Sequence, residues 1–420
     1  MPDGSDLARF WALDPQTVYL NHGSFGACPL PVLEAQLRFR TLMEADGVRF
    51  FVERCDPLLD SSRAMLAAFL NCRGEDLAFV PNATIGVATA LAHLEPTIRA
   101  GDELLTNDHE YPACQNNLQR LAHRTGAKVV MADVPFPIRS PGEVIEAVLS
   151  RATERTKIAL LSAVTSSSGL ILPVREIARE LEARGVAVVV DAAHAPGFLP
   201  MEPGSGVGLD VPGMGASFVT GNNHKWLCTP KGCAFLWASE RHRASFRPLV
   251  LSNFAKNGKP GRSRVQADFD YIGTNDVTAW MAAAEAIRFM GSLHPGGWSE
   301  LTRRNHELVL RGRNIICSAI GVAPPAPDAM LGSMATILLP ANPPERWARL
   351  SARPSRYHDA LQDRLLDEHA IQVPVWSVPD KPAGTTRLLR ISAQAYNTLQ
   401  QYEYLAGALR IELEREARGD

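Results

Sequence analysis

The sequence has 420 residues, of which 46% are hydrophobic and 21% charged, and its formal net charge is −2. This balance lacks the basic surface of a protein that binds nucleic acid or an anionic membrane. No apolar run reaches the ~20 residues needed to cross a bilayer, and the acidic N-terminus does not resemble a signal peptide. The seven cysteines are scattered, without metal-site spacing, which favours reduced thiols. We therefore expect a cytoplasmic enzyme without a bound metal.

Between about residues 76 and 237, short apolar runs alternate with longer amphipathic segments such as 174–185, which has helical spacing and ends in a glycine. The apolar runs predict strands at 77–80, 103–106, 128–134, 158–164, 186–191, 217–220 and 233–237. Strands that alternate with helices in this way predict an α/β fold. Its core would be a mostly parallel seven-stranded sheet that is flanked by helices.

The composition changes after about residue 273. The segment 278–293 predicts a long helix, and 355–370 and 397–417 predict surface helices around short strands. Proline-rich stretches separate these elements, which predicts a second, smaller α+β domain. The polar, glycine-rich segment 252–268 predicts a mobile loop.

Lys225 stands in the stretch TGNNHKWLCTPKGC, between two predicted strands. A lysine in such a place is usually a solvated loop residue. The apolar strand VAVVV, however, leads directly into Asp191, and His194 follows three residues later. Because the carboxyl ends of strands face the ligand crevice of an open α/β sheet, we expect these side chains to meet there. The alternative for Asp191 is a cap on the next segment.

Two further strand ends add groups that suit a ligand. After the first predicted strand, Asn82, Ala83 and Thr84 begin a helix whose free N–H groups form an anion site. After the second, Tyr111 in NDHEYPA offers a flat ring to a planar ligand. Each signal is weak alone, because many helices begin with Asn or Thr and half-buried loop tyrosines are common.

Together these strand ends supply an anion cradle, a ring face, a carboxylate and a lysine. Pyridoxal phosphate (PLP) requires all of them: a helix N-terminus for its phosphate, a stacking partner, a Schiff-base lysine and a carboxylate that keeps its pyridine nitrogen protonated. The lysine must also be deprotonated to react, which burial near other cations favours. The sequence therefore predicts pyridoxal 5'-phosphate as the cofactor.

The same residues carry a resemblance to a known family. Asp-x-x-His, followed about thirty residues later by Thr-Gly-Asn-x-His-Lys-Trp, resembles the class V aminotransferases of PLP fold type I. The motifs YLNHGSFGACP, DHEYPA, SSSGLILPV, VDAAHAPG, HKWLCTPKGCAFL, IGTND and LRISAQAYN are similar to the isopenicillin N epimerase-like branch. The resemblance covers nearly the whole chain, and it is more specific for cofactor and fold than for reaction.

The resemblance implies a role for each matching residue. Lys225 is the Schiff-base lysine, Asp191 the pyridinium partner, and His194 lies near the ring hydroxyl. Tyr111 is the ring-stacking residue. The resemblance implies that all four of these residues are catalytic. Further matches are phosphate contacts (Asn82, Ala83, Thr84, Asn222, His224 and, toward the neighbouring subunit, Thr274), a residue near the ring hydroxyl (Ser166) and substrate contacts (Arg390, Asn21 and His22). Arg390 would bind the α-carboxylate of an amino-acid substrate. Its alternative is a structural ion pair.

The resemblance also implies a division of the chain. Residues 1–25 would contribute to the active site, 26–275 would form the large PLP-binding domain, and 276–420 the small C-terminal domain. It implies a homodimer with shared active sites, since Thr274 would reach the phosphate of the neighbouring subunit. The alternative is a monomer in which Thr274 caps the following helix.

Three reactions remain open, and epimerisation like that of the isopenicillin N epimerase-like branch stands first. It needs a base on each face, with Lys225 as one and His22 or Tyr111 as candidates for the other. A C–S lyase acting on a cysteine conjugate, like the ergothioneine-pathway relatives, needs only Lys225, and in an aminotransferase Lys225 shuttles a proton. A cysteine desulfurase is disfavoured because 373–390 contain no cysteine. The segment 249–264 shows little of the family pattern, so the substrate is not predicted.

Overall fold

A computed structural model describes residues 1–201, 204, 206–377 and 387–419. All seven strands predicted for the central sheet are present, with bounds within a few residues of those expected. The strands are β1 Val18–Tyr19, β2 Leu77–Val80, β3 Glu103–Asn107, β4 Lys128–Ala132, β5 Thr156–Ser162, β6 Ala187–Asp191, β7 Phe218–Asn222, β8 Ala234–Ala238, β9 Met334–Leu338, β10 Ile371–Gln372, β11 Val375–Ser377 and β12 Arg387–Ser392.

The seven-stranded sheet has the order β2-β8-β7-β6-β5-β3-β4. β8 runs antiparallel to both neighbours, whereas the other pairs are parallel. Alternate residues of β6 face opposite sides, so that Val188 and Val190 join one apolar core and Val189 joins another. Burial on both faces explains why this strand reads as a continuous apolar run. The predicted mostly parallel α/β sheet is thus confirmed.

Helices cover both faces of this sheet, with α5 and α6 on one side and α4 and α8 on the other. The α-helices are α1 His22–Phe25, α2 Leu30–Ala45, α3 Gly47–Arg49, α4 Cys55–Phe69, α5 Ala83–Leu94, α6 Pro112–Thr125, α7 Pro141–Leu149, α8 Val174–Ala183, α9 Glu240–Arg243, α10 Arg264–Phe269, α11 Thr278–Met281, α12 Ala283–Ser292, α13 Gly297–Ile320, α14 Pro344–Ser351, α15 Ala360–His369 and α16 Leu399–Arg418. A π-helical turn, Phe50–Arg54, joins α3 to α4.

The C-terminal part has the predicted α+β character. β11, β12 and β9 form an antiparallel sheet, against which α13 packs, and α13 in turn packs on α16. The predicted helix 278–293 is interrupted at Ala282, where α11 ends and α12 begins. The 24-residue helix α13 was not predicted.

The N-terminal segment is attached to the C-terminal part, because β1 pairs in parallel with β10. The loop prediction for 252–268 is wrong at its C-terminal end, where α10 begins. Ser263 and Gln266 form a capping box there, and Arg264 pairs with Asp268 one turn later. These contacts give a short polar segment the stability of a helix.

In the described part of the chain, no helix combines the length and the apolar character required for a membrane span. All seven cysteines are free thiols. The proposed domain boundaries stay a prediction, since α12 contacts α2 and α4 on one side and α13 on the other.

Candidate active site

The carboxyl edge of the parallel strands brings the predicted residues together. β6 ends at Asp191, and His194 lies in the turn that follows. The neighbouring strand, β7, ends at Asn222 and leads into the turn that carries Lys225. The register pairs Asp191 with Thr220, so the two turns begin side by side.

Lys225 lies against His194, with Nζ 2.9 Å from Nε2. Burial, and then the positive charge of Arg390, lower the pKa of Lys225 to about 7, although Asp191 opposes this shift. A large fraction of the amine is therefore unprotonated near neutral pH, and this is the form that attacks a carbonyl carbon.

Asp191 is buried and has a partner on each carboxylate oxygen. Oδ1 accepts the N–H of Ala193 at 2.8 Å, and Oδ2 accepts the thiol of Cys114 at 3.1 Å. The turn-capping alternative is thus correct for one oxygen, which does not exclude a role toward a ligand. Burial raises the pKa of Asp191, while these hydrogen bonds and Lys225 oppose the shift.

Glu110 and Cys114 belong to the same cluster, although the sequence analysis did not single them out. Polar atoms of Glu110, Cys114 and Asp191 all lie within 4.8 Å of one another. Glu110 Oε1 accepts the Ser162 hydroxyl at 2.7 Å and the Tyr111 N–H at 2.9 Å, whereas Oε2 has no partner among the described residues. The available signal was an acidic residue in the short loop after a buried strand, β3.

Burial, and then the negative charge of Asp191, raise the pKa of Glu110 to about 8. Two buried carboxyl groups this close do not both ionise readily, because each charge opposes the other in a medium of low polarity. The pair therefore retains a proton near neutral pH, and we assign that proton to Glu110.

The start of α5 forms the predicted anion cradle. Asn82 Oδ1 accepts the N–H of Ile85 at 2.9 Å, and Asn222 Oδ1 accepts the N–H of Ala83 at 2.8 Å. Within the described ranges, neither the N–H nor the hydroxyl of Thr84 has a protein partner. The helix N-terminus thus retains donors for an anionic group, as PLP phosphate binding requires.

His224 follows Asn222 by two residues, and its Nδ1 is 3.0 Å from the carbonyl oxygen of Cys233. A carbonyl only accepts, so Nδ1 carries the hydrogen and Nε2 is the nitrogen left for a ligand. Burial, and then the charge of Lys225, lower the pKa of His224 to about 4. The ring is therefore neutral at physiological pH without an anion beside it.

Tyr111 and Thr274 are the two predicted contacts that lie open to solvent. The Tyr111 residue is 44% exposed at the start of α6, which leaves its ring available to a ligand. Thr274 Oγ1 is 3.3 Å from the Tyr271 hydroxyl. The capping alternative for Thr274 is wrong, because α11 begins at Thr278 and Asp276 accepts the N–H of that residue.

Arg390 is buried between the N-terminal segment and the loop that follows β5, where it contacts two residues that the resemblance assigned to the site, Asn21 for the substrate and Ser166 for the cofactor. Its guanidinium donates to the carbonyl of Ser166, to the Ser24 hydroxyl at 3.0 Å and to Asn21 Oδ1 at 3.4 Å. It also lies over the Trp376 ring, 5.2 Å from the centroid. Asn21 and Ser166 thus hold the arginine in place.

No carboxylate of the described residues pairs with Arg390, and its Nε has no hydrogen-bond acceptor there. Burial lowers the pKa of Arg390 to about 10. A buried charge without a counterion is costly, so the geometry favours a ligand carboxylate as its partner over the structural ion pair.

His22 lies behind Lys225 rather than in the cleft. It is fully buried, its Nδ1 is 2.9 Å from the Tyr396 hydroxyl, and its Nε2 is 3.0 Å from the backbone oxygen of Lys225. Burial lowers the pKa of His22 to about 3. Direct substrate contact and a role as second base are therefore disfavoured, because both ring nitrogens are occupied by protein groups.

The fold and this arrangement of strand-end residues define a class of protein. The sequence matches the family described as aminotransferase class-V over residues 18–405, and the chain belongs to that family. The cofactor is pyridoxal 5'-phosphate, and the residues fit it: a reactive, partly buried amine, a buried carboxylate and a helix N-terminus at which Thr84 keeps two donors without a partner among the described residues converge at one sheet edge.

Among individual relatives, isopenicillin N epimerase of Amycolatopsis lactamdurans is 33% identical over 423 residues, covering 96% of this chain and 99% of that protein. L-cysteine desulfhydrase of Arabidopsis thaliana is 28% identical over 415 residues, covering 93% of this chain and 86% of that protein. A solved structure of a C-DES variant, with glycine covalently linked to its PLP cofactor, superimposes with a TM-score of 0.74 over 98% of this chain and 99% of that one. At 18% identity, this last likeness concerns the fold alone.

Proposed function

We propose that this PLP-dependent enzyme removes the α-proton of a sulfur-containing amino acid and catalyses β-elimination at its C–S bond. The observation that carries this proposal is a reactive base, Lys225, near a buried arginine, Arg390, that has no carboxylate partner among the described residues. Beta-elimination needs only one base at the α-carbon. The alternative second base, His22, is held by Tyr396 and by the Lys225 backbone.

The side chains divide the work between binding and proton transfer. Arg390 binds the α-carboxylate and so orients the substrate, while Asn21 and Ser24 keep the guanidinium in position. Bound PLP supplies the electron sink for the pair of electrons left at the α-carbon. Lys225 accepts the α-proton, and the C–S bond breaks with its electron pair leaving on sulfur.

Epimerisation is the second candidate, because the 33% identical relative from Amycolatopsis lactamdurans carries that name. A two-base epimerase would need an acid–base group opposite Lys225. Tyr111 is the candidate for this role, since its side chain is exposed at the start of α6 and its hydroxyl has no hydrogen-bond partner in the described part of the chain. One experiment can identify the substrate class and distinguish between these reactions.

The PLP-loaded protein is incubated in D₂O with L-cysteine, S-substituted cysteines and, as a matched control without a sulfur leaving group, L-alanine. Beta-elimination predicts pyruvate, ammonia and the thiol from the cysteine compounds, and none of these from alanine. Deuterium at the α-carbon of both enantiomers without pyruvate would establish epimerisation instead. Conversion of the cofactor to its pyridoxamine form, with release of a keto acid, would establish transamination. Either result overturns the lyase proposal.

Arg390→Lys tests the carboxylate contact separately. A lysine retains the charge but loses the planar pair of donors, so we expect KM to rise at least tenfold, or about 1.4 kcal/mol, while the protein still binds PLP. Arg387→Lys, on the same strand, is the matched control. Because Arg387 pairs with Glu416 and Asp359, this variant should lose stability and keep its KM. An unchanged KM for Arg390→Lys would remove Arg390 from the substrate site.

We further propose that the working unit is a homodimer whose active sites contain Thr274 of the partner. An apolar surface adjoins this residue, with Leu37 61%, Val48 79% and Val52 73% exposed. The neighbouring Phe51 packs on Tyr271, which contacts Thr274. A second copy is the occupant that would cover this surface and bring the threonine to another cofactor site.

A further inference from the structure

His194 is held between two nitrogen-bearing side chains, both from the segment that follows β7. Its Nε2 is 2.9 Å from Lys225 Nζ, and its Nδ1 is 3.3 Å from the indole nitrogen of Trp226. Trp226 is 1% exposed and His194 2% exposed, so both rings are shielded from bulk water. The protonation of His194 is therefore determined by what these two neighbours can donate or accept.

The indole nitrogen can only donate a hydrogen bond. Nδ1 of His194 must then accept, so a neutral imidazole carries its hydrogen on Nε2. Nε2–H in turn donates to Lys225, whose nitrogen can accept only as an uncharged amine with a free lone pair. The other tautomer would place two N–H groups face to face at Nδ1 and leave the buried indole donor without an acceptor.

A doubly protonated His194 is disfavoured by its surroundings. Burial, and then the charges of Lys225 and Arg390, lower the pKa of His194, and the rings of His224 and His22 act in the same direction. Asp191 is the negatively charged group that faces Lys225 and opposes loss of its proton, whereas the nearby Cys114 thiol is uncharged and donates to Asp191. The Nε2–H tautomer of His194 acts in the opposite sense to Asp191, because it stabilises the uncharged amine of Lys225.

We propose that Trp226 is a positioning residue whose indole N–H fixes the tautomer of His194, and that this tautomer holds Lys225 as a free amine. The inference concerns the protein before it meets a substrate, so it does not depend on which reaction the enzyme catalyses. The same tautomer makes Nε2–H of His194 a hydrogen-bond donor. A residue that contacts the ring hydroxyl of PLP, as the resemblance implies for His194, would need such a donor.

Nitrogen-15 NMR of the apo-protein, labelled in histidine, tests the tautomer directly. His194 is assigned by comparison with His194→Gln, which removes one signal. Wild-type His194 should show a pyrrole-type Nε2 and a pyridine-type Nδ1 near neutral pH. The opposite pattern, or a protonated ring, in the wild-type protein would overturn the proposal, and this result does not depend on any tryptophan variant folding.

The consequence for Lys225 is tested by the pH dependence of PLP rebinding to the apo-protein, followed by its visible absorbance. Trp226→Phe keeps an aromatic ring against Phe198 and His22 but removes the N–H. Without that donor, the ammonium form of Lys225 can donate to Nε2. An ordinary hydrogen bond corresponds to roughly half to one pKa unit, and the midpoint of the profile should move upward by about that amount.

Trp280→Phe is the matched control, because Trp280 is also buried and donates to a backbone oxygen, that of Gly232, at 2.8 Å. Its profile should keep the wild-type midpoint. In a His194→Gln background, Trp226→Phe should cause little further shift, since an amide has no tautomers to select. Equal shifts in Trp226→Phe and Trp280→Phe, or an unchanged midpoint in a folded Trp226→Phe protein, would contradict the proposal.

Discussion

At the level of single residues, burial controls the charges around the cofactor site. It lowers the pKa of Lys225, which produces a reactive amine, and it raises the pKa of Glu110, which retains a proton beside Asp191. Both groups lie at strand ends where the sheet is covered on either face. The same physical cause therefore prepares one group to react and keeps another uncharged.

The stability of the apo-protein should reveal the state of Glu110. Its folded pKa, about 8, lies above the ordinary value of 4.5, so the folded protein binds a proton that the unfolded chain has lost. This contribution to stability is fully present below about pH 4.5 and is lost as pH rises toward 8. Glu110→Gln, which mimics the protonated acid, should therefore gain stability relative to wild type by roughly 3–4 kcal/mol as the pH rises from 5 to 8.

Glu103→Gln is the matched control for this measurement by denaturant titration. Glu103 is also buried, but hydrogen bonds from Thr153 and Arg155 lower its pKa. Its contribution is present above the ordinary pKa and is lost as pH falls, so this variant should be destabilised most at neutral and alkaline pH. A Glu110→Gln protein whose stability follows the wild type at every pH would show that folding does not raise the pKa of Glu110.

The sequence predicted the residues whose position follows from a strand end, namely Lys225, Asp191, His194 and Asn222. The structure brings these four together. Glu110, Cys114 and Trp226 were missed because their roles depend on which way a side chain faces across two packed elements. His22 shows the same limit: the motif located it near Lys225, but only packing against Tyr396 places it behind the lysine.

At the level of elements, close contact between α5 and β7 positions the phosphate cradle. Asn222 at the end of β7 accepts the first N–H of α5, and Gly86 faces Thr220 at a distance that leaves no space for a Cβ atom. A helix glycine is usually a cost to stability, but here it permits the approach. The cradle therefore depends on a small residue one turn into the helix.

Gly86→Ala should destabilise the protein by roughly 1–3 kcal/mol, because the new methyl group overlaps Thr220. It should also weaken PLP binding, measured by equilibrium titration of the visible band, since α5 must move away from β7. Gly407→Ala in α16 is the matched control: a Cβ atom meets nothing there, so helix propensity alone should raise stability by about 0.5–1 kcal/mol. Equal effects of the two substitutions would mean that the close contact between Gly86 and Thr220 determines neither stability nor PLP binding.

Element types were predictable where hydrophobic periodicity was strong, as in the seven strands and in α8. Interruptions were not, as in the helix predicted for 278–293, because its apolar pattern continues across the break at Ala282. The short helix α10 was missed because its stability comes from a capping box and an ion pair rather than from apolar spacing.

At the level of the whole molecule, residues distant in sequence complete one site. Asn21 from the N-terminal segment and Arg390 from β12 meet at the edge of the central sheet, and β1 pairs with β10 behind them. Arg40 on α2 pairs with Asp276, which ties the exposed apolar surface to the segment that carries Thr274. Because the exposed apolar surface is continuous with the Thr274 segment, we expect a second copy of the chain to cover the surface and to receive Thr274 in its active site.

Mixing two inactive proteins tests the shared site. Lys225→Ala lacks the amine, and Thr274→Arg would block the phosphate of the neighbouring subunit. After subunit exchange, a heterodimer has one cavity with both wild-type residues, so activity should return to roughly a quarter of wild type for random pairing. Ser150→Arg, at an exposed position outside this surface, should be active without mixing. Confirmed exchange without recovery, together with a fully active Thr274→Arg protein, would contradict the shared site.

The assignment of Lys225 as the lysine that carries PLP is tested most directly by borohydride reduction of the PLP-loaded protein, followed by peptide mass spectrometry. Reduction makes the bond between lysine and cofactor permanent, so the modified residue can be located. We expect one phosphopyridoxyl group per chain, on the peptide that contains Lys225, and loss of the label in Lys225→Ala. Stoichiometric label on another lysine, such as Lys231, or a wild-type protein that takes up no PLP, would contradict the site described above.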